Sequence, residues 1–71
     1  MIQFDAGKQA WPELVRKTGR EAGRVIYKEN PYVKIIQIVK LGTHVTMDYR
    51  CDRVRIWVND DGIVVLVPIV G

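Results

Sequence analysis

In the first part of the chain, apolar positions recur at helical spacing. After Pro31 they run together. The helical segment is TGREAGRVIYKENP, in which Thr18 and Glu21 form a capping box while Asn30 and Pro31 are a stop signal. Between them Ala22, Val25, Ile26 and Glu29 mark one face, the first three of them apolar. Gly19 and Gly23 weaken such a helix by up to about 1 kcal/mol each relative to Ala, so it must rely on packing. Upstream, AWPEL (10–14) reads as a short turn, with Pro12 at a first-turn position and Trp11 as a core anchor.

Beyond Pro31 the pattern is that of strands. VKIIQIV (33–39) is short and rich in β-branched residues, as expected of a buried strand. VRIWV (54–58) reads as a second strand. NDDG (59–62) supplies turn chemistry with a glycine for positive φ, and IVVLV (63–67) reads as a third strand returning from it. Pro68 lacks an N–H to donate and is expected to close the ladder. The link between the first two strands is about a dozen residues, too long for a tight hairpin and suited to a crossover between parallel strands. The fold class predicted is α+β: one helix packed on a small mixed β-sheet, with a long exposed loop joining two parallel strands. Residues 1–71 form one domain, with 1–10 expected as a loosely ordered N-terminal arm.

Composition narrows the classes. At 71 residues, 48% apolar and 27% charged, the chain suits a small globular domain, and no apolar run approaches the roughly 20 residues of a membrane span. The opening MIQFDAGKQA has neither the basic start nor the apolar core of a signal peptide; a processed chain would look the same, which leaves the compartment open. Net charge is +3, from 11 Lys and Arg against 8 Asp and Glu, a mild excess that solubility explains as well as nucleic acid does. One cysteine, Cys51, makes no internal disulfide, and one histidine, His44, completes no metal-ligand set with it. No cofactor is expected.

The crossover, GTHVTMDYRCDRVR (42–55), carries the chemistry. Val45 and Thr46 favour extended backbone, and Met47 follows at mid-loop with little core to enter. An extended segment with one protruding apolar side chain is the shape a protease accepts, and methionine suits a hydrophobic specificity pocket rather than an acid-floored one. The alternative is that Met47 folds back into the core. Arg53 and Arg55 share one strand face, with Val54 and Ile56 on the other. Two guanidinium groups aimed together from beneath the loop can bond its carbonyls, Thr46 Oγ1 or the Asp48 carboxylate; the alternative is a solvated edge.

Two other function classes compete. Arg20, Arg24 and Lys28 form a basic stripe, and Tyr27, Tyr32, Tyr49 and Trp57 offer stacking surfaces for nucleic acid, but Glu21, Glu29 and Asp48 interrupt the field. A thiol–imidazole enzyme built on Cys51 and His44 lacks an oxyanion site and a third group; Cys51 is expected to point inward as a small apolar residue.

VTMDYRCDRVRIWV, with WPELV and the ending VPIVG, resembles the potato inhibitor I family of serine-protease inhibitors over Trp11 to Gly71. The resemblance implies a substrate-like, standard-mechanism inhibitor, not an enzyme, whose scissile bond joins Met47 (P1) to Asp48 (P1′). It makes Thr46 P2, Val45 P3 and Tyr49 P2′, with His44 beside them on the protease-contacting side. Arg53 and Arg55 brace the loop, and Arg50 reaches the carboxylate of Gly71. The partner implied is a serine protease with an apolar S1 pocket, subtilisin-like or chymotrypsin-like, bound by a monomer. A member that has kept the fold and lost inhibition is a further alternative. The chain departs from the family in two places. Several members pair the cysteine matching Cys51 with one near the N-terminus, where this chain has about Asp5. A missing staple of that kind, typically worth roughly 2–4 kcal/mol, implies lower stability and a free thiol. KIIQIVKLG (34–42) is one residue longer than the usual approach to the loop, so a bulge is expected there.

Overall fold

The computed structural model describes residues 7–71. A 3-10 turn over Pro12–Leu14 precedes the helix α1 (Gly19–Glu29), and the strands β1 (Ile35–Lys40), β2 (Arg53–Val58) and β3 (Ile69–Val70) follow. The helix starts where its cap predicts, with Thr18 Oγ1 accepting from the Glu21 N–H at 3.1 Å. It ends at Asn30, whose N–H still reaches the Ile26 carbonyl at 2.9 Å. Asn30 is itself buried, and its side chain bonds the Lys8 carbonyl and the Tyr32 N–H, each at 2.9 Å.

Gly19, Ala22, Gly23 and Ile26 are buried along the inner helix face. Glu29 continues that face as a polar residue because it has a partner: the indole N–H of fully buried Trp11 donates to its carboxylate at 2.9 Å. The helical cost of Gly19 is offset by close approach. A Cβ there would stand 3.0 Å from Ile38 Cγ2 and 3.1 Å from Val58 Cγ1, so glycine lets the first turn rest this low on the sheet without displacing those side chains.

The sheet order is β1-β2-β3. β1 runs parallel to β2 in unbroken register from Ile35 opposite Arg53 to Lys40 opposite Val58. β3 is antiparallel to β2, with Val54 opposite Val70 and Arg55 opposite Ile69. The sheet is therefore small and mixed, joined by a twelve-residue crossover, residues 41–52. Period-two alternation in β2 sends Val54, Ile56 and Val58 into the core beside Trp11, Leu14, Ala22, Ile26, Val33, Val64 and Val70. Arg53 and Arg55 take the other face. β1 is an edge strand rather than a buried one: Gln37 is exposed and so is Ile38, at 52%.

The structure corrects the third strand. Residues 63–67 leave the Asn59 turn but make only isolated bridges, Thr18 with Ile63 and Val58 with Val64, before Leu66 and Val67 swing into solvent. Pairing resumes after Pro68, not before it. Buried Pro68 contributes through its carbonyl, which accepts from Trp11 N–H at 3.0 Å. The described part of the arm, residues 7–10, runs beside the end of the chain. Val70 N–H donates to Gln9 O at 3.0 Å, and Ala10 bridges Ile69. Asp5 lies outside the described residues.

Arg16 is the one non-glycine residue at positive φ among those described, at +80°, and its N–H donates to Val64 O at 2.9 Å. A side chain in the left-handed region costs about 1 kcal/mol. Arg16→Gly is therefore expected to stabilise the fold by about 1 kcal/mol, raising the denaturation midpoint at unchanged m-value. A lower midpoint would mean that the arginine side chain contributes more than its backbone conformation costs.

Candidate functional site: the crossover loop and its arginine supports

The crossover begins with a turn. Leu41 N–H extends the ladder to Val58 O at 2.8 Å, Thr43 N–H closes on Lys40 O at 3.0 Å, and Gly42 supplies the φ of +94°. The bulge expected in the approach segment is absent, because the β1–β2 register is continuous and the chain turns only after the strand ends. At the far end the Asp52 carbonyl accepts from Lys34 N–H at 2.7 Å and Ile35 N–H at 3.0 Å, which fastens the loop's exit to the entry of β1.

Between these anchors the chain is exposed. His44 and Thr46 face solvent, Val45 is half-buried, and Tyr49 is 70% exposed with its ring alongside Gly71. Met47 is 97% exposed and does not fold back into the core. An apolar side chain held that far out has no structural use within the domain.

Two arginines hold the residues on either side of it. Arg55 donates Nη1 to the Thr46 carbonyl at 2.9 Å and Nη2 to Thr46 Oγ1 at 2.7 Å. Arg53 donates Nη2 to the Asp48 carbonyl at 2.8 Å and Nη1 to the Asp48 carboxylate at 3.2 Å. Arg53 is only 5% exposed, sealed between strand and loop, so its bonds are shielded from competing water. Its Nε goes to the Gly71 backbone oxygen at 2.8 Å, and that of Arg55 to Gln37 Oε1 at 3.1 Å. The carbonyls before and after Met47 are thus both tied to β2, while neither guanidinium takes the carbonyl of Met47.

The Asp48 carboxyl is lowered from 3.8 to about 2, first by its hydrogen bond with the Thr46 side chain and then by the one from Arg53. Because the shift is downward, the stabilisation it reports is complete above pH 3.8 and is lost as the pH falls through about 2. Carbon NMR of the Asp48 carboxyl is expected to give a midpoint near 2, rising toward 3.8 in Thr46→Val. A parent midpoint already at 3.8 would remove this part of the brace.

The sequence profile of the potato inhibitor I family matches residues 3–71. The chain belongs to the potato inhibitor I family. A Glu S. griseus protease inhibitor from Momordica charantia is 52% identical over 65 residues, covering 92% of this chain and 94% of that one. An inhibitor of trypsin and Hageman factor from Cucurbita maxima is 51% identical with the same coverage. The crystal structure of a bitter gourd trypsin inhibitor superposes with a TM-score of 0.88 at 51% identity, covering 92% of this chain and 94% of that one. The potato inhibitor I family is one of inhibitors and not of enzymes.

Within this potato inhibitor I domain two side chains depart from expectation. Arg50 does not reach Gly71; it forks onto Asp52, with Nε and Nη2 at 2.9 and 3.0 Å from the two carboxylate oxygens. Gly71 belongs instead to Arg53, because β3 pairs Val70 with Val54 and so delivers the next residue beside Arg53. Cys51 is free and exposed rather than inward, since it occupies the turn before β2 begins. Among the described residues no three His, Cys, Asp or Glu side chains gather as metal ligands. Gln37, absent from the sequence-based site, is brought to it by lying opposite Arg55 in the sheet.

Proposed function

We propose that this chain inhibits a serine protease by the standard mechanism, presenting Met47 as P1 and Asp48 as P1′ to an enzyme with an apolar S1 pocket. The supporting observation is that Thr46 and Asp48 are held by two arginines of one strand while Met47 stands 97% exposed between them. His44, Val45, Thr46 and Tyr49 flank the bond and contact the enzyme.

The serine oxygen attacks the Met47 carbonyl carbon, and the carbon–nitrogen bond to Asp48 breaks as the amine takes the histidine's proton. In an ordinary substrate that amine diffuses away and water completes hydrolysis. Here Arg55 retains the acyl half through Thr46, and Arg53 retains the amine half through Asp48. The amine stays within reach of the acyl carbon at high effective concentration and competes with water. Religation re-forms the peptide bond and releases the serine. A loop ordered before binding also loses little entropy on docking, which lets an interface of ordinary size bind tightly.

Two relatives of near-equal similarity are named for different targets, one for a Glu S. griseus protease and the other for trypsin and Hageman factor. One frame serving several proteases favours reading the target from the P1 side chain. Titration against subtilisin, chymotrypsin and trypsin, with mass analysis of the recovered protein, tests the reading. Stoichiometric inhibition of the first two and a slow cut after Met47 are expected. Rapid, complete cleavage, or no inhibition of any of them, would reject it.

A further inference from the structure

The two supporting guanidinium groups divide their donors alike. Arg53 gives Nε to Gly71 and both Nη groups to Asp48. Arg55 gives Nε to Gln37 and both Nη groups to Thr46. One donor faces the scaffold, and two face the loop. A guanidinium is a rigid planar fork, so fixing Nε fixes where the other two donors point.

The two scaffold contacts differ in kind. The oxygen that holds Arg53 belongs to backbone, and Gly71 N–H itself bonds the Arg53 carbonyl at 2.8 Å. The oxygen that holds Arg55 is a side-chain amide. It is placed by the sheet, since parallel register sets Gln37 directly opposite Arg55. Its neighbours Ile36 and Ile38 show what β1 otherwise carries, and an apolar residue at position 37 would leave the Arg55 Nε without a protein acceptor.

The geometry points to Gln37 as a positioning residue for the acyl half of the loop: its amide oxygen aims the Arg55 fork, which holds the Thr46 carbonyl and hydroxyl next to the scissile bond. This rests on the reading of the bond from Met47 to Asp48 given above. Gln37 is exposed on an edge strand, where one hydrogen bond adds little to global stability. Its effect falls on the orientation of Arg55, and through it on how well the cut ends stay aligned.

The test uses the full chain with Gln37→Ala and Gln37→Glu, the second keeping an acceptor at the same reach. Proton exchange at the Arg55 Nε–H, followed by nitrogen NMR, reads the positioning directly. Cleavage after Met47 by subtilisin reads its consequence. Gln37→Ala is expected to speed exchange at Arg55 Nε–H but not at Arg53 Nε–H, and to raise cleavage roughly tenfold, the equivalent of one lost hydrogen bond. The unfolding midpoint should hold, and Gln37→Glu should restore both readouts. Unchanged Arg55 exchange, or faster exchange with unchanged cleavage, overturns the proposal. If the parent inhibits no protease, the functional reading fails separately. Backbone relaxation at Thr46 then decides: looser in Gln37→Ala supports positioning by Gln37, and equal in both overturns it.

Discussion

Replacing Met47 with lysine is expected to shift inhibition toward trypsin by about thirtyfold or more, and to weaken inhibition of chymotrypsin by a comparable factor. Met47 is 97% exposed, so exchanging it alters what enters the enzyme pocket and almost nothing in the fold. Surface changes of this kind usually move stability by less than about 0.5 kcal/mol. The backbone on either side is held by Arg53 and Arg55 through Thr46 and Asp48, so the new side chain should be offered in the same pose. An ammonium group gains a partner in an acid-floored pocket, whereas in an apolar slot it is desolvated without one. A central anchor residue commonly contributes about 2 kcal/mol or more, and about 1.4 kcal/mol is a factor of ten. Inhibition constants for trypsin, chymotrypsin and subtilisin, measured beside the unfolding midpoint, check the expectation. An unchanged order of targets in a folded variant would mean that another residue fills the pocket.

The helix was legible because its signals are local: Thr18 caps it, and Asn30 with Pro31 stops it. So was β2, where alternation separates Val54 and Ile56 from Arg53 and Arg55. The length of the crossover, and the lack of turn formers around Met47, were enough to mark an extended exposed loop. What failed to show in the sequence depends on register between distant segments. Residues 63–67 have the composition of a strand, but whether they form a ladder depends on how far they follow β2. The chain leaves after one bridge and returns only at Ile69. That same return decides which arginine meets Gly71. Arg50 and Arg53 are alike as residues, and only the pairing of Val70 with Val54 selects the second. Gln37 was hidden for a related reason. In a run of apolar residues a single glutamine looks like the solvent side of a strand until its cross-strand partner is known to be Arg55.

Removing both supports, as Arg53→Ala with Arg55→Ala, is expected to turn an inhibitor into a substrate. Together the two side chains make four hydrogen bonds to the loop, at 2.9 and 2.7 Å on Thr46 and at 2.8 and 3.2 Å on Asp48. Hydrogen bonds from a charged donor contribute about 1.5–3 kcal/mol each, and far less than their sum is needed. Losing about 3 kcal/mol of tethering lowers the effective concentration of the new amine by roughly a hundredfold or more. Water then captures the acyl-enzyme, and the protein is released in two pieces. The single variants should differ. Arg53→Ala frees the amine half and should slow religation directly; it also releases Gly71, so its unfolding midpoint should fall further. Arg55→Ala leaves the amine held but loosens Thr46, so the acyl carbon is presented less accurately to an amine still in place. Turnover of each protein by subtilisin, with the ratio of cut to intact chain at equilibrium, separates these effects. Should the double variant resist cleavage as well as the parent while remaining folded, the arginines are structural and the loop owes its stiffness to its two anchored ends.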